Sequence, residues 1–191
     1  MLINALIFLL QAVFGIFTFA FLLRFYFQLT QVSFQQPIAQ ALMQLTNFAV
    51  KPARKVIPSI GKLDLSTLIL AFITQLLLII ATVWLQGFPI LIAGNHIWPI
   101  FLGLALLAII STSLTIFMVA MLIQAVLSWI NPYTPVAPLL AQLTSPILQF
   151  LRRYIPSAGM IDLSPLVFII TAQLLLTTIL LPLENNLRSM L

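Results

Sequence analysis

The sequence contains no cysteine and a single histidine. The first absence removes disulfides, thiolate metal sites and thiol nucleophiles. The second argues against a metal held by several imidazoles. Charge is scarce as well: charged residues form 6% of the 191 positions, against roughly 25% in an average soluble domain. A soluble chain of this size could not cover its surface with so few charges, which nearly rules out a soluble enzyme. Intrinsic disorder is excluded by a 62% apolar content, since disorder needs low hydrophobicity. There is no GxSxG, no P-loop and no HExxH, and no serine has a histidine close by in the chain. Neither a cofactor nor an enzymatic activity is expected.

What is present is apolar length. A hydrocarbon core about 30 Å thick needs about 20 apolar residues of helix. Four stretches qualify, over residues 2–23, 65–85, 97–127 and 166–183. They are continuously apolar and lack the alternation of barrel strands. The chain is therefore expected to be an all-α, multi-pass membrane protein. The first stretch has no basic leader and no small-residue cleavage site after it, so it is expected to be retained.

The basic residues are lopsided. Arg24, Lys51, Arg54, Lys55 and Lys62 lie between the first two spans or at the end of the first, and Arg152 and Arg153 lie between the last two. The connection 86–96 has no Lys or Arg, and Arg188 alone follows the fourth span, close to Glu184. Positive charge stays inside, so both basic connections are expected on the cytoplasmic side of the cytoplasmic (inner) membrane, with both termini outside. The net charge of +5 then serves topology and anionic lipid headgroups, and no nucleic-acid partner is expected. Arg24 sits near a span end, where it is expected to snorkel towards water.

The chain also repeats itself. TNFAVKPARKVIPSIGKLDLS (46–66) aligns without gaps on TSPILQFLRRYIPSAGMIDLS (144–164). Thr46 matches Thr144, Arg54-Lys55 aligns with Arg152-Arg153, Pro58 with Pro156, Gly61 with Gly159, and Asp64 with Asp162. The register runs on to Gln75 and Gln173. This predicts two tandem repeats, residues 1–90 and 91–191, each a span, a cytoplasmic connection and a span. An even number of crossings per unit gives the repeats one orientation, about an axis along the membrane normal.

Each connection is expected to carry short amphipathic helices. Ile38, Leu42, Leu45 and Phe48 recur at helical spacing in the first; in the second, Leu139, Leu140, Leu143, Ile147, Leu148 and Leu151 are apolar. Such helices either lie along the cytoplasmic face or dip into the bundle. Pro132, Pro135 and Pro138 should stop the third span, and Ser145-Pro146 reads as a helix start. Gly61 and Gly159 suit a turn with positive φ. Ser66 and Ser164 read as N-caps of the following spans, with Pro165 at the first helical position. Asp64 and Asp162 favour the positive end of the helix dipole. Each also lies within reach of its own basic dyad, so capping and a repeated Arg/Asp site for an ion or partner both remain open. Gln75 and Gln173 fall at matching mid-membrane depth, either packing the bundle through hydrogen bonds or lining a polar path. Ser111, Thr112, Ser113 and Thr115 are expected to bond their own helix backbone. No ionisable residue is expected deep in a span, which speaks against an active transporter. His96 is expected at the surface.

The stretch TSPILQFLRRYIPSAGMIDLSPLV (144–167) resembles the signature of the YggT family of bacterial membrane proteins, which has plastid relatives. The first copy departs from it at Lys51-Pro52, Asn47-Phe48 and Thr67. The resemblance implies a four-span protein without established enzyme activity. It further implies roles in osmotic tolerance, cell-division neighbourhoods, haem attachment to a cytochrome complex, or membrane organisation. The sequence thus favours a non-enzymatic scaffold or assembly factor acting through Arg54, Lys55, Arg152 and Arg153 on headgroups or an unidentified membrane or cytoplasmic protein. The alternative is a channel or transporter in osmotic response. Four spans enclose little interior, which leaves room for a homodimer.

Overall fold

The computed structural model of the chain describes residues 1–90, 94–131, 134–155 and 162–191. Helices α1 (Leu2–Leu29), α3 (Leu65–Leu85) and α4 (Ile97–Ile130) are each long and apolar enough to cross a membrane. The fourth crossing is composite: α6 (Ser164–Leu175), a π-helical turn (Leu176–Leu180) and α7 (Leu181–Ser189) run on without a break. Among the described residues there is no strand beyond one isolated bridge between Ile60 and Leu63. A helix closes all its own backbone hydrogen bonds, which is why such runs fold this way where water is absent.

The fourth helix does not stop at residue 183 as expected; Glu184 and Arg188 belong to it. Pro182 lies inside it. Proline lacks an N–H and crowds the carbonyl four residues back. The π turn just before it lengthens the ladder by one residue and relieves that conflict.

Between the spans lie α2 (Pro37–Val56) and α5 (Ala137–Leu151). Pro37 opens α2, and Pro138 takes the second position of α5, where a missing N–H costs nothing. Pro132 lies outside the described residues. Ser145-Pro146 is not a helix start: α5 begins at Ala137 and runs through Pro146. The carbonyl that Pro146 leaves bare belongs to Gln142, and the Ser145 hydroxyl donates to it at 2.9 Å. The serine repairs the ladder rather than opening it.

Both short helices are built into the bundle. Ala39, Leu42, Thr46 and Val50 of α2 are buried, as are Leu139, Leu140, Leu143, Thr144 and Leu148 of α5. Their apolar members other than Leu148 join the core cluster that holds Ala20, Phe21 and Leu22 of α1, Ala71 of α3 and Ile116 of α4. Of the expected stripe on α2 only Leu42 is buried; Ile38, Leu45 and Phe48 are exposed. Phe48 sits edge-on to Phe17 with ring centroids 5.6 Å apart. A second cluster joins Ile79 and Val83 of α3 to Ile97, Phe101 and Leu104 of α4, with Leu187 and Leu191 against it.

The fourth crossing is the least embedded. Only 6% of its most apolar stretch is buried, against 22% for each of the other three. Ser164 and Ala172 are its buried residues.

Candidate functional site

In the first half of the chain the basic segment folds back on itself through a tight turn. Ile60 and Leu63 exchange two backbone hydrogen bonds of 3.0 Å. Gly61, the first residue between them, has φ +60°; a type II′ turn demands positive φ at that place. The turn brings Asp64, at the start of α3, back to Arg54 near the end of α2, and their side chains form an ion pair. The same Arg54 Nη2 donates to Gln28 Oε1 of α1 at 2.9 Å. Asp64 is fully buried while the Arg54 side chain is 40% exposed.

Beside this pair lies Arg24, which does not snorkel. It is 4% exposed. Its Nη1 donates to Thr46 Oγ1 at 2.6 Å and Asn47 Oδ1 at 3.0 Å, both on α2. Its Nε has no hydrogen-bond partner among the described residues, and neither has Asp64 Oδ1. Arg54 and Asp64 are its charged neighbours. Two cations and one carboxylate thus tie α1, α2 and α3 together.

The second half makes a lighter version of the same arrangement. Arg152 Nε donates to Asp162 Oδ2 at 2.8 Å, and Nη2 lies 2.7 Å from the same oxygen. Both side chains are more open, at 55% and 35% exposed. Asp162 Oδ1 accepts the Ser164 N–H at 3.0 Å. Partial burial pushes the Asp162 carboxyl up, but the Ser164 N–H and the Arg152 guanidinium outweigh it and hold the carboxyl below its ordinary value. Thr144 on α5 reaches Gln124 Oε1 of α4 at 2.7 Å. The span-to-helix joint uses a guanidinium on Thr46 in one half and an amide on Thr144 in the other.

The expected serine caps are replaced. Ser66 donates its hydroxyl to the Ile57 carbonyl at 2.7 Å, and Ser164 is already the first residue of α6, with Pro165 second. A serine inside the first turn can reach back to the preceding loop instead of forward to the helix N–H groups. The capping acceptor of the fourth crossing is the Asp162 carboxylate.

Of each basic dyad the first member is therefore held by its own aspartate. Lys55 and Arg153, with Lys51, Lys62, Pro58 and Tyr154, are exposed. Pro156 and Gly159 lie outside the described residues. Asp64 and Asp162 each engage the arginine of their own half and share no site. Gln75 and Gln173 are not brought together. Gln75 lines a polar cavity of about 220 Å³ between α1, α3, α4 and α7, with Gln11, Thr82, Ser111, Glu184 and Arg188. Gln173 is exposed on the outer side of α6. Ser111, Thr112, Ser113 and Thr115 donate to carbonyls of α4 itself at 2.7 to 3.0 Å. Glu184 and Arg188, one turn apart in the fourth helix, pair at 2.9 Å. His96 is exposed at the start of α4. No group of three or more His, Cys, Asp or Glu that could hold a metal occurs among the described residues.

The residues that the sequence reading missed are Gln28, Thr46, Asn47, Gln124 and Thr144, together with the inward turn of Arg24. A signal existed. Arg24 is the only charge between Leu2 and Leu29, and Thr46 and Thr144 are matched in the repeat. With Phe17, Ala20 and Leu22 set over Phe117, Ala120 and Leu122, Arg24 stands over Gln124.

Comparison with known proteins adds the family. The model of the family described as CCB3/YggT matches residues 3–93 and 103–183. An uncharacterized protein of Pseudomonas aeruginosa is 32% identical over 165 residues, 85% of this chain and 82% of its own length. An uncharacterized protein encoded in the proC 3′ region of Vibrio alginolyticus is 32% identical over 174 residues, 89% of this chain and 90% of its own. The uncharacterized protein YggT of Escherichia coli K12 is 33% identical over 171 residues, 87% and 85% of the two chains. No solved structure matches. Four apolar helices, two Arg–Asp pairs and matches over most of the chain lead to one assignment: the chain belongs to the CCB3/YggT family.

Proposed function

We propose that the chain is a non-enzymatic scaffold of the cytoplasmic membrane, built from two repeats of like orientation, that presents one basic face to anionic headgroups and a protein partner. The observation that carries this reading is the division of labour within each dyad. Arg54 and Arg152 are neutralised by Asp64 and Asp162, while Lys55 and Arg153 stay exposed. The paired arginine fixes the turn, and the next residue is left to bind. Lys51 and Lys62 extend the first patch, and Tyr154 borders the second. With four crossings both basic segments fall on one side, which positive charge assigns to the cytoplasm, and both termini fall outside. The matches at 3–93 and at 103–183 support the two-unit reading.

The test places a photo-crosslinking residue at Tyr154 in native membranes. Adducts to anionic lipid and to one recurring protein are expected, and Lys55→Gln with Arg153→Gln should remove them while helix content stays unchanged. Adducts that persist in that variant reject the reading.

A second reading is favoured by the 220 Å³ polar cavity. All four crossings contribute to it, and Gln75 gives it a polar wall near mid-membrane. On this reading the chain passes a small solute or ion. Flux in proteoliposomes that Gln75→Leu abolishes is expected; folded protein without flux above empty vesicles rejects it.

A further inference from the structure

We propose that the outward face of the fourth crossing, centred on Gln173, is the contact between two copies of this chain within the membrane. The fourth crossing is the one the bundle covers least, 6% against 22% elsewhere. Along its outer side Leu166, Ile170 and Leu174 are 53 to 56% exposed, and Leu181 continues the stripe at 52%. Apolar exposure alone only says that this face meets lipid. Gln173 is what sets it apart.

Gln173 stands nine residues beyond Ser164, about 14 Å along a helix that rises 1.5 Å per residue. That places its amide near the middle of a hydrocarbon core about 30 Å thick, too far from either surface for the side chain to reach water. The Thr177 hydroxyl donates to the Gln173 backbone carbonyl at 2.9 Å, which leaves the side-chain amide with no hydrogen bond among the described residues. A primary amide that neither donates nor accepts is unfavourable in lipid. Its counterpart in the repeat, Gln75, escapes this by facing the polar cavity inside the bundle. The second copy of the glutamine has been left on the outside, and its partner must come from outside the chain.

The chemistry points to a second copy. A carboxamide is its own complement, with one acceptor oxygen and two N–H donors. Two copies in one membrane share an orientation, so a twofold axis along the normal brings Gln173 against Gln173 at equal depth. A closed, isologous pair results. Ile170 and Leu174 then pack beside the amides, since in lipid it is close packing and buried polar bonds that hold helices together.

The chain has no cysteine, so single-cysteine probes report cleanly. Oxidation of Ile170→Cys or Leu174→Cys in vesicles of phosphatidylethanolamine and phosphatidylglycerol should give a disulfide-linked dimer. Leu77→Cys, equally exposed but on α3, should not. Energy transfer between labelled copies, measured as lipid is added, should show association that Gln173→Leu weakens roughly tenfold and Gln173→Asn retains. Gln173→Leu makes the helix more apolar and leaves insertion intact, which circular dichroism checks. A wild-type chain that stays monomeric at every density overturns the proposal. So do association unchanged by Gln173→Leu, and crosslinking as strong from position 77. Crosslinks from positions 170 and 174 that form only to a different protein also overturn it.

Discussion

Arg24 and Asp64 are the most deeply buried charges among the described residues, at 4% and 0% exposed. They lie near one another, with Asp64 paired to Arg54 and Arg24 held by Thr46 and Asn47. Removing one partner of a buried pair strands a charge in low dielectric, which costs about 3–5 kcal/mol. An exposed pair is worth about 0–1 kcal/mol. Asp64→Asn is therefore expected to destabilise the fold by about 3 kcal/mol, and Asp162→Asn by less than about 1 kcal/mol. Equilibrium unfolding in mixed micelles measures both, and equal losses would show that burial does not set the cost. Acid separates the turns in a second way. The Asp162 carboxyl is held below its unfolded value by Ser164 N–H and Arg152. Its contribution is then complete above the ordinary carboxylate value of about 4, and is lost as pH falls through the depressed value. Protection of the Ser164 amide, its exchange measured against the intrinsic rate at the same pH, should fall on acidification below about pH 4, and Asp162→Ala, which has no acceptor, should show low protection at every pH. An amide whose protection is indifferent to pH would remove the carboxylate from its capping role.

The elements show where local reading works and where it stops. Continuous apolar runs found α1, α3 and α4, because in lipid a single continuously apolar segment closes its own hydrogen bonds only as a helix. The helix ends were less legible. Pro146 reads as a helix start, yet it lies inside α5, as Pro52 lies inside α2 and Pro182 inside the fourth crossing. The structure absorbs two of them by means that spacing does not announce: the Ser145 hydroxyl on the Gln142 carbonyl, and the π turn before Pro182. That turn has a geometric consequence. One added residue rotates everything after it by about 100°, and it is this rotation that sets Leu187 against α4. A Cβ built on Gly103 would lie 3.1 Å from a Leu187 methyl. Gly103→Cys with Leu187→Cys removes that crowding and should form a disulfide readily. Deleting Thr178, which restores plain α-helix or shifts the strain to Pro182, should turn position 187 away and abolish the bond. A disulfide that survives the deletion would mean that the π turn does not orient α7.

For the molecule as a whole, the repeat made the Arg–Asp pairs legible, since the same residues at the same spacing form the same ion pair twice. It could not report that the halves embed differently. Asp64 is buried and Asp162 half-open; Gln75 faces a cavity and Gln173 faces outward. Those contrasts arise from what packs around each copy, and a sequence match is silent on its surroundings. Orientation is a property of this same scale. If each half crosses twice, Lys62 in the first connection and Arg153 in the second share a side, and Asn95 in the charge-free connection lies opposite. All three are exposed. Lys62→Cys and Arg153→Cys, each as the only thiol, should resist a membrane-impermeant maleimide in intact spheroplasts and react after permeabilisation. Asn95→Cys should react in both. Lys62→Cys leaves Lys51, Arg54 and Lys55 in the first connection and Arg153→Cys leaves Arg152 in the second, and orientation follows the sum of positive charge across the connections, so neither loss reverses the chain. Labelling of positions 62 and 153 from opposite sides would mean that the repeats are inverted. Labelling of both from outside would invert the bundle and remove the bases from the cytoplasmic lipids they are proposed to hold.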